Sequence, residues 1–209
     1  MGFEGAKMNI KMTPEMVAEQ LGRTGLCICP GFLSQKALCE TRADLDAIQS
    51  AGGFYRAGTG KGVRKKVNDL VRRDEIHWLD RVLGNPVQSG LWEKLDSLKQ
   101  ALNRTLYLGL ADFEGHYAIY PEGGFYRRHL DCFRKDDARK VSLVLYLNQD
   151  WKPSHGGQLR IYSSSDSRDG SHVDVDPVGG TMVCFMSRES EHEVRLNYRP
   201  RFSFTGWFK

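Results

Sequence analysis

The chain contains a short pattern able to hold a redox metal: His129-Leu130-Asp131, inside a stretch that reads as a strand from Tyr126 to Cys132. Residues two apart on a strand point to the same face, so an imidazole and a carboxylate project together. One more imidazole completes a facial triad of two His and one carboxylate, which leaves coordination positions open on a non-haem Fe(II). The six histidines are His77, His116, His129, His155, His172 and His192. A rival pair, His172-Val173-Asp174, lies only about one hairpin before His192, in a polar stretch that reads as a short edge strand. The first pair is several strands away from His192, which gives the chain room to wrap into a barrel between them. His129, Asp131 and His192 are therefore the expected metal ligands, with His172 and Asp174 at the surface. An isolated His-x-Asp is common by chance, so the assignment depends on what surrounds it.

The C-terminal segment Arg201 to Phe208 alternates strictly. Arg201, Ser203, Thr205 and Trp207 fall on one face, and Phe202, Phe204 and Phe208 on the other. If the Phe face packs on supporting helices, Arg201 points inward. A buried guanidinium is costly without an anionic partner. A dicarboxylate cosubstrate would be one such partner, held by a bidentate pair; an Asp or Glu of the protein would be another. Tyr146 shares a strand face with Ser142 and Val144 and is placed to donate a second hydrogen bond to the same carboxylate.

The elements that must position these groups change character along the chain. The first half reads as helices: one opened by Thr13-Pro14 and running to about Leu21, one capped by Ser34 and ended by Gly52-Gly53, and one capped by Ser89 with Leu91, Leu95, Leu98 and Leu102 along one face. Between the first two, Gly25 to Cys29 reads as a strand. The stretch from Gly53 to Asp80 starts Gly-rich and continues through the basic GVRKKVNDLVRR. It has no G-x-x-x-x-G-K-[ST], which excludes a phosphate loop, and it reads as a mobile segment. Arg64, Lys65, Lys66, Arg72 and Arg73 there are expected on a solvated face, or else in a substrate-gripping lid. From Gly115 on, apolar residues recur at a period of two. Strands are expected at 115–120, 126–132, 140–148, 157–162, 180–185, 191–196 and 201–208. Helices followed by short strands predict an α+β fold with a sandwich or barrel and helices packed on one face.

Composition removes several classes. The 209 residues carry a formal charge of +4, with 27% charged and 40% hydrophobic residues, ordinary for a globular domain. No apolar run approaches a membrane span, and the N-terminal stretch lacks the apolar core of a signal peptide. The five cysteines are scattered without a C-x-x-C, which argues against a disulfide scaffold and for a reducing, cytoplasmic compartment.

The region from His116 to Phe208 resembles the Fe(II)- and 2-oxoglutarate-dependent prolyl 4-hydroxylases, especially the oxygen-sensing type that modifies hypoxia-inducible factor, and their bacterial relatives. IYPEGGFYRRHLD, KVSLVLYLNQDW, GGQLRIY and EHEVRLNYRPRFSFTGWF carry the likeness, in the family's order. Arg201 follows His192 at the family's interval, and DEIHWLD with the basic segment before it looks like this subgroup's substrate loop. The resemblance implies a double-stranded β-helix (jelly-roll) core at 106–209. A mainly helical support would occupy 1–105, with the mobile loop at 53–80, in one domain spanning 1–209. It implies Fe(II) on His129, Asp131 and His192. Arg201 and Tyr146 would hold the distal carboxylate of 2-oxoglutarate, and Tyr120 would line that pocket. Arg139, Tyr126 and Trp207 would lie near the prolyl substrate. O2 is the other cosubstrate, ascorbate the reductant, and succinate and CO2 the by-products. The implied partner is a protein with a target proline, with an elongation factor of the Tu type as a candidate. A related oxygenase acting on nucleic acid, on another residue or on a small molecule is the alternative, as is a barrel that only binds. Against nucleic acid stands the absence of a basic groove interleaved with aromatics.

Overall fold

The computed structural model describes residues 12–58, 66–132, 138–163 and 171–209. Helix α1 spans Pro14–Thr24, α2 Gln35–Ser50 and α3 Pro86–Leu106. Strands are β1 (Leu26–Cys29), β2 (Tyr55–Arg56), β3 (Glu75–Trp78), β4 (Phe113–Tyr120), β5 (Tyr126–His129), β6 (Val141–Tyr146), β7 (Leu159–Tyr162), β8 (His172–Val175), β9 (Met182–Met186), β10 (His192–Val194) and β11 (Arg201–Phe208). They form a larger sheet in the order β1-β9-β6-β11-β4-β3-β2 and a smaller one in the order β5-β10-β7-β8, with antiparallel pairings throughout.

Local chemistry sets the helix ends. Thr13 accepts a hydrogen bond from the Met16 amide and Pro14 fills the first turn of α1. Gly25, at φ +71°, closes the helix and donates its N–H to the Leu21 carbonyl, a left-handed conformation that costs glycine least. The third helix begins earlier than its leucines suggest. Asn85, not Ser89, is the cap, accepting from the Gln88 amide at 3.1 Å, with Pro86 behind it. Ser89 instead lies inside the first turn and donates to the Asn85 carbonyl.

One apolar core joins the helices to the outer face of the larger sheet. Leu91, Leu95, Leu98 and Leu102 of α3 pack there with Phe113, Phe204 and Phe208. A second core, with Val144, Tyr146, Leu159, Ile161 and Val194, lies between the two sheets. The Phe face of β11 thus meets the helices and the Arg201 face meets the opposing sheet. This is the double-stranded β-helix arrangement with helices on one side.

Two further expectations need correction. The Gly53–Asp80 stretch contributes β2 and β3, which extend the larger sheet beside β4; its residues 59–65, including Arg64 and Lys65, lie outside the described residues. The strand expected to run through Cys132 ends at His129, so Asp131 stands beyond it.

Candidate active site

The two imidazoles are brought together by strand register. His129 of β5 is paired directly opposite His192 of β10, and their rings lie 4.3 Å apart, centroid to centroid. Asp131 reaches the same point from the bend after β5. The donor atoms of His129, Asp131 and His192 all fall within 4.8 Å of one another, the one such cluster among the described residues. His129 Nε2 stands 3.6 Å from Asp131 Oδ1, and His192 Nε2 3.5 Å from Oδ2. These separations exceed ordinary hydrogen bonds and suit donors arranged around a common cation.

The opposite ring nitrogens fix the tautomers. His129 Nδ1 lies 2.7 Å from the Arg127 carbonyl and His192 Nδ1 3.0 Å from the Ser190 carbonyl. A carbonyl can only accept, so both Nδ1 atoms carry a proton, and both Nε2 atoms are turned toward Asp131. Burial lowers the His192 pKa to about 4, aided by His129 and opposed by Asp131. Burial also opposes ionisation of Asp131, but the His192 and His129 imidazoles outweigh it and hold the carboxyl well below the usual range. Near neutral pH His192 is thus neutral and Asp131 ionised, the protonation states a divalent metal requires of them.

Deeper in the same cavity lies Arg201, 1% exposed, at the start of β11. Its Nε donates to the Gly157 carbonyl at 2.9 Å and its Nη1 to Ser203 Oγ at 3.4 Å. Its guanidinium carbon is 5.1 Å from the ring centres of both Tyr120 and Tyr146. Arg201 Nη2 and the Tyr146 hydroxyl are buried without a hydrogen-bond partner. No carboxylate of the described residues pairs with Arg201, so the alternative of a protein Asp or Glu partner finds no support there. Two orphaned donors beside each other are the complement of an incoming carboxylate. Burial raises the Tyr120 and Tyr146 hydroxyl pKa values, the latter to about 12, so both remain protonated donors. Gly157, at φ +67°, permits the approach: a Cβ there would come within 3.1 Å of Arg201 Cδ.

The cavity, of about 660 Å³, opens past a layer of aromatic and charged groups. Tyr126 stacks on His129 with centroids 3.6 Å apart. Trp207 carries the Arg139 guanidinium 3.6 Å above its ring, and Arg139 is ion-paired to Glu114. The structure thus gathers all nine expected site residues in or around one cavity. The rival His172 and Asp174 sit on the edge strand β8, where Asp174 receives both bonds of the Arg160 fork at 2.7 Å.

Sequence reasoning missed several neighbours. Arg72, expected on a solvated face, is half-buried and forks onto the buried Asp74, with Nε 2.6 Å from Oδ1. Its guanidinium also lies 4.3 Å from the Tyr126 ring centre. Lys66 and Arg73 are exposed, as a solvated face requires. The buried His116 packs against Trp78 and Trp207. Ser142 donates to Asp131. An acid two residues from an arginine was the one sequence signal for the Arg72–Asp74 pair.

Residues 115–209 match the family model described as the 2OG-Fe(II) oxygenase superfamily. Among solved structures the chain is similar to a prolyl-4-hydroxylase of Pseudomonas putida, with 39% identity, a TM-score of 0.83, and coverage of 94% of this chain and 98% of that one. It is also similar to a prolyl hydroxylase from Trichoplax adhaerens, solved in complex with a peptide fragment of the hypoxia-inducible factor oxygen degradation domain. There the identity is 29%, the TM-score 0.80, and the coverage 93% and 88%. Human Egl nine homolog 1 is 27% identical over 207 residues, covering 95% of this chain and 47% of that protein. The chain spans about half the length of the first curated relatives it matches.

Proposed function

The chain belongs to the 2OG-Fe(II) oxygenase superfamily, and on that footing we propose that it hydroxylates a prolyl residue of a protein at the 4-position, with 2-oxoglutarate and O2 consumed and succinate and CO2 released. The observation that carries this reading is the sharing of one cavity by a His-Asp-His cluster and a buried guanidinium with a free donor. The nearly full-length similarity to a prolyl-4-hydroxylase supports the choice of substrate.

His129, Asp131 and His192 would hold Fe(II), which supplies the redox chemistry that couples O2 and 2-oxoglutarate to C–H oxidation. Arg201 binds the distal carboxylate of 2-oxoglutarate through charge-assisted hydrogen bonds, and Tyr146 donates a second one. The Tyr120 ring walls the same pocket, while Val144, Leu159 and Val194 exclude water around it. Trp207, Tyr126 and Arg139 shape the mouth where the prolyl ring enters. Orientation by these fixed groups is the protein's own contribution to rate.

The finer parts of the reading follow from the resemblance to bacterial relatives. The protein substrate is an elongation factor of the Tu type and ascorbate serves as reductant; the scattered cysteines without a C-x-x-C add a cytoplasmic compartment. No helix among the described residues is long and apolar enough to cross a membrane.

The test is mass spectrometry of a cell extract incubated with the protein, Fe(II), ascorbate and 2-oxoglutarate, beside the His129→Ala variant. One oxygen gained on a prolyl residue of the Tu-type factor, absent with the variant, is the expected result. Succinate production with no oxygen gained on any protein would overturn the prolyl reading.

A further inference from the structure

Behind the His-Asp-His cluster runs a chain of two buried hydroxyls. Ser142, on the inward face of β6, donates its Oγ–H to Asp131 Oδ2 at 2.7 Å. Ser142 Oγ is in turn 2.8 Å from the Oγ of Ser187, which follows β9. Both serines are essentially inaccessible to water, at 1% and 0% exposure. The two strands are paired here, with Ser142 opposite Phe185, so the sheet itself sets the spacing of the hydroxyls.

Valence gives the chain a direction. A hydroxyl has one proton. Ser142 spends its proton on Asp131 Oδ2. The contact with Ser187 must then be donated by Ser187. The order is Ser187 to Ser142 to Asp131, and each donated bond polarises the next.

We propose that this Ser187–Ser142 chain is the positioning device for the metal-binding carboxylate. It anchors Oδ2 and so fixes the orientation in which the carboxylate faces both His129 Nε2 and His192 Nε2. A carboxylate free to rotate would have to be ordered before it could hold a metal, at a cost in affinity. Neither serine lines the cavity; they act through Asp131. The inference rests on the metal-binding part of the proposed function and not on the identity of the substrate.

The experiment is a Mn(II) titration of the metal-free protein, followed by electron paramagnetic resonance, with Mn(II) as a redox-silent substitute for Fe(II). Ser142→Ala should raise the Mn(II) dissociation constant roughly tenfold to a hundredfold, the usual effect of losing a hydrogen bond to a ligand. Ser142→Thr, which keeps the hydroxyl, should restore it to within about threefold of wild type. Ser187→Ala should fall between them, because Ser142 still donates to Asp131 but is no longer polarised. Thermal melts of each variant separate a folding defect from a metal defect. Ser142→Ala with wild-type melting and wild-type affinity would overturn the proposal, as would a Ser142→Thr protein that melts normally and binds no better than Ser142→Ala. If wild type itself bound Mn(II) no better than Asp131→Ala, the metal reading would fail instead.

Discussion

The Tyr126 ring lies nearly flat on the His129 imidazole, with planes 17° apart and centroids 3.6 Å apart. The stack and the Nδ1 contact to the Arg127 carbonyl fix the ring from two sides. An aromatic pair of this kind contributes about 1 kcal/mol. Tyr126→Leu should therefore weaken Mn(II) binding by up to about tenfold, while Tyr126→Phe, which keeps the ring, stays within about twofold. Equal affinities for Leu and Phe, in a metal titration of both, would mean that the Arg127 carbonyl alone orients the imidazole.

The Arg201 pocket predicts a graded loss of 2-oxoglutarate affinity. Tyr146→Phe removes one neutral donor, worth about 1 kcal/mol, so affinity should fall about fivefold. Arg201→Ala removes the charged partner and should cost about 3 kcal/mol, roughly a hundredfold or more. Gly157→Ala should act on the same ligand at a distance, because its Cβ would crowd Arg201 Cδ and its φ of +67° disfavours a side chain. Calorimetric titration of 2-oxoglutarate into the Mn(II)-loaded proteins measures all three. An unchanged affinity in Arg201→Ala would place the cosubstrate elsewhere.

His116 predicts acid sensitivity. Burial, with Arg72 adding to it and Asp74 opposing it, lowers its pKa to about 4. An unfolded histidine titrates near ~6.5, so between those values the unfolded chain binds the extra proton. The stabilisation due to a neutral His116 is complete above about pH 6.5 and is lost as the pH falls toward 4, a change on the order of 3 kcal/mol. Urea unfolding of the metal-free protein at pH 7 and pH 4.5 should show a smaller acid loss in His116→Gln than in wild type. An identical loss in both would assign the sensitivity to other groups.

The ion pair between the half-buried Arg72 and the buried Asp74 anchors the start of β3 beside the cavity. Removing one member strands the other charge, so Asp74→Ala should lower stability by about 3 kcal/mol. The double replacement Arg72→Met with Asp74→Leu should recover most of that loss, since neither charge remains buried. Chemical denaturation of the three proteins tests this, and a double variant no more stable than Asp74→Ala would contradict it.

Much of this architecture is written in local pattern. Thr13-Pro14 and the leucines of α3 specify helices through capping and a 3.6-residue period, and the alternation of 201–208 specifies which face carries Arg201. His129 with Asp131 and the distant His192 were legible as donors because their residue types are few and chemically restrictive. The pairing of His129 opposite His192 and the Ser187–Ser142 chain were not legible. Each depends on the register between strands far apart in the chain. Register is chosen by the packing of the whole sheet against its helices, and no window of neighbouring residues contains that information. The short runs of β2 and β3 make the same point: a Gly-rich, basic stretch has weak strand propensity, and only the open edge of β4 gives it a partner.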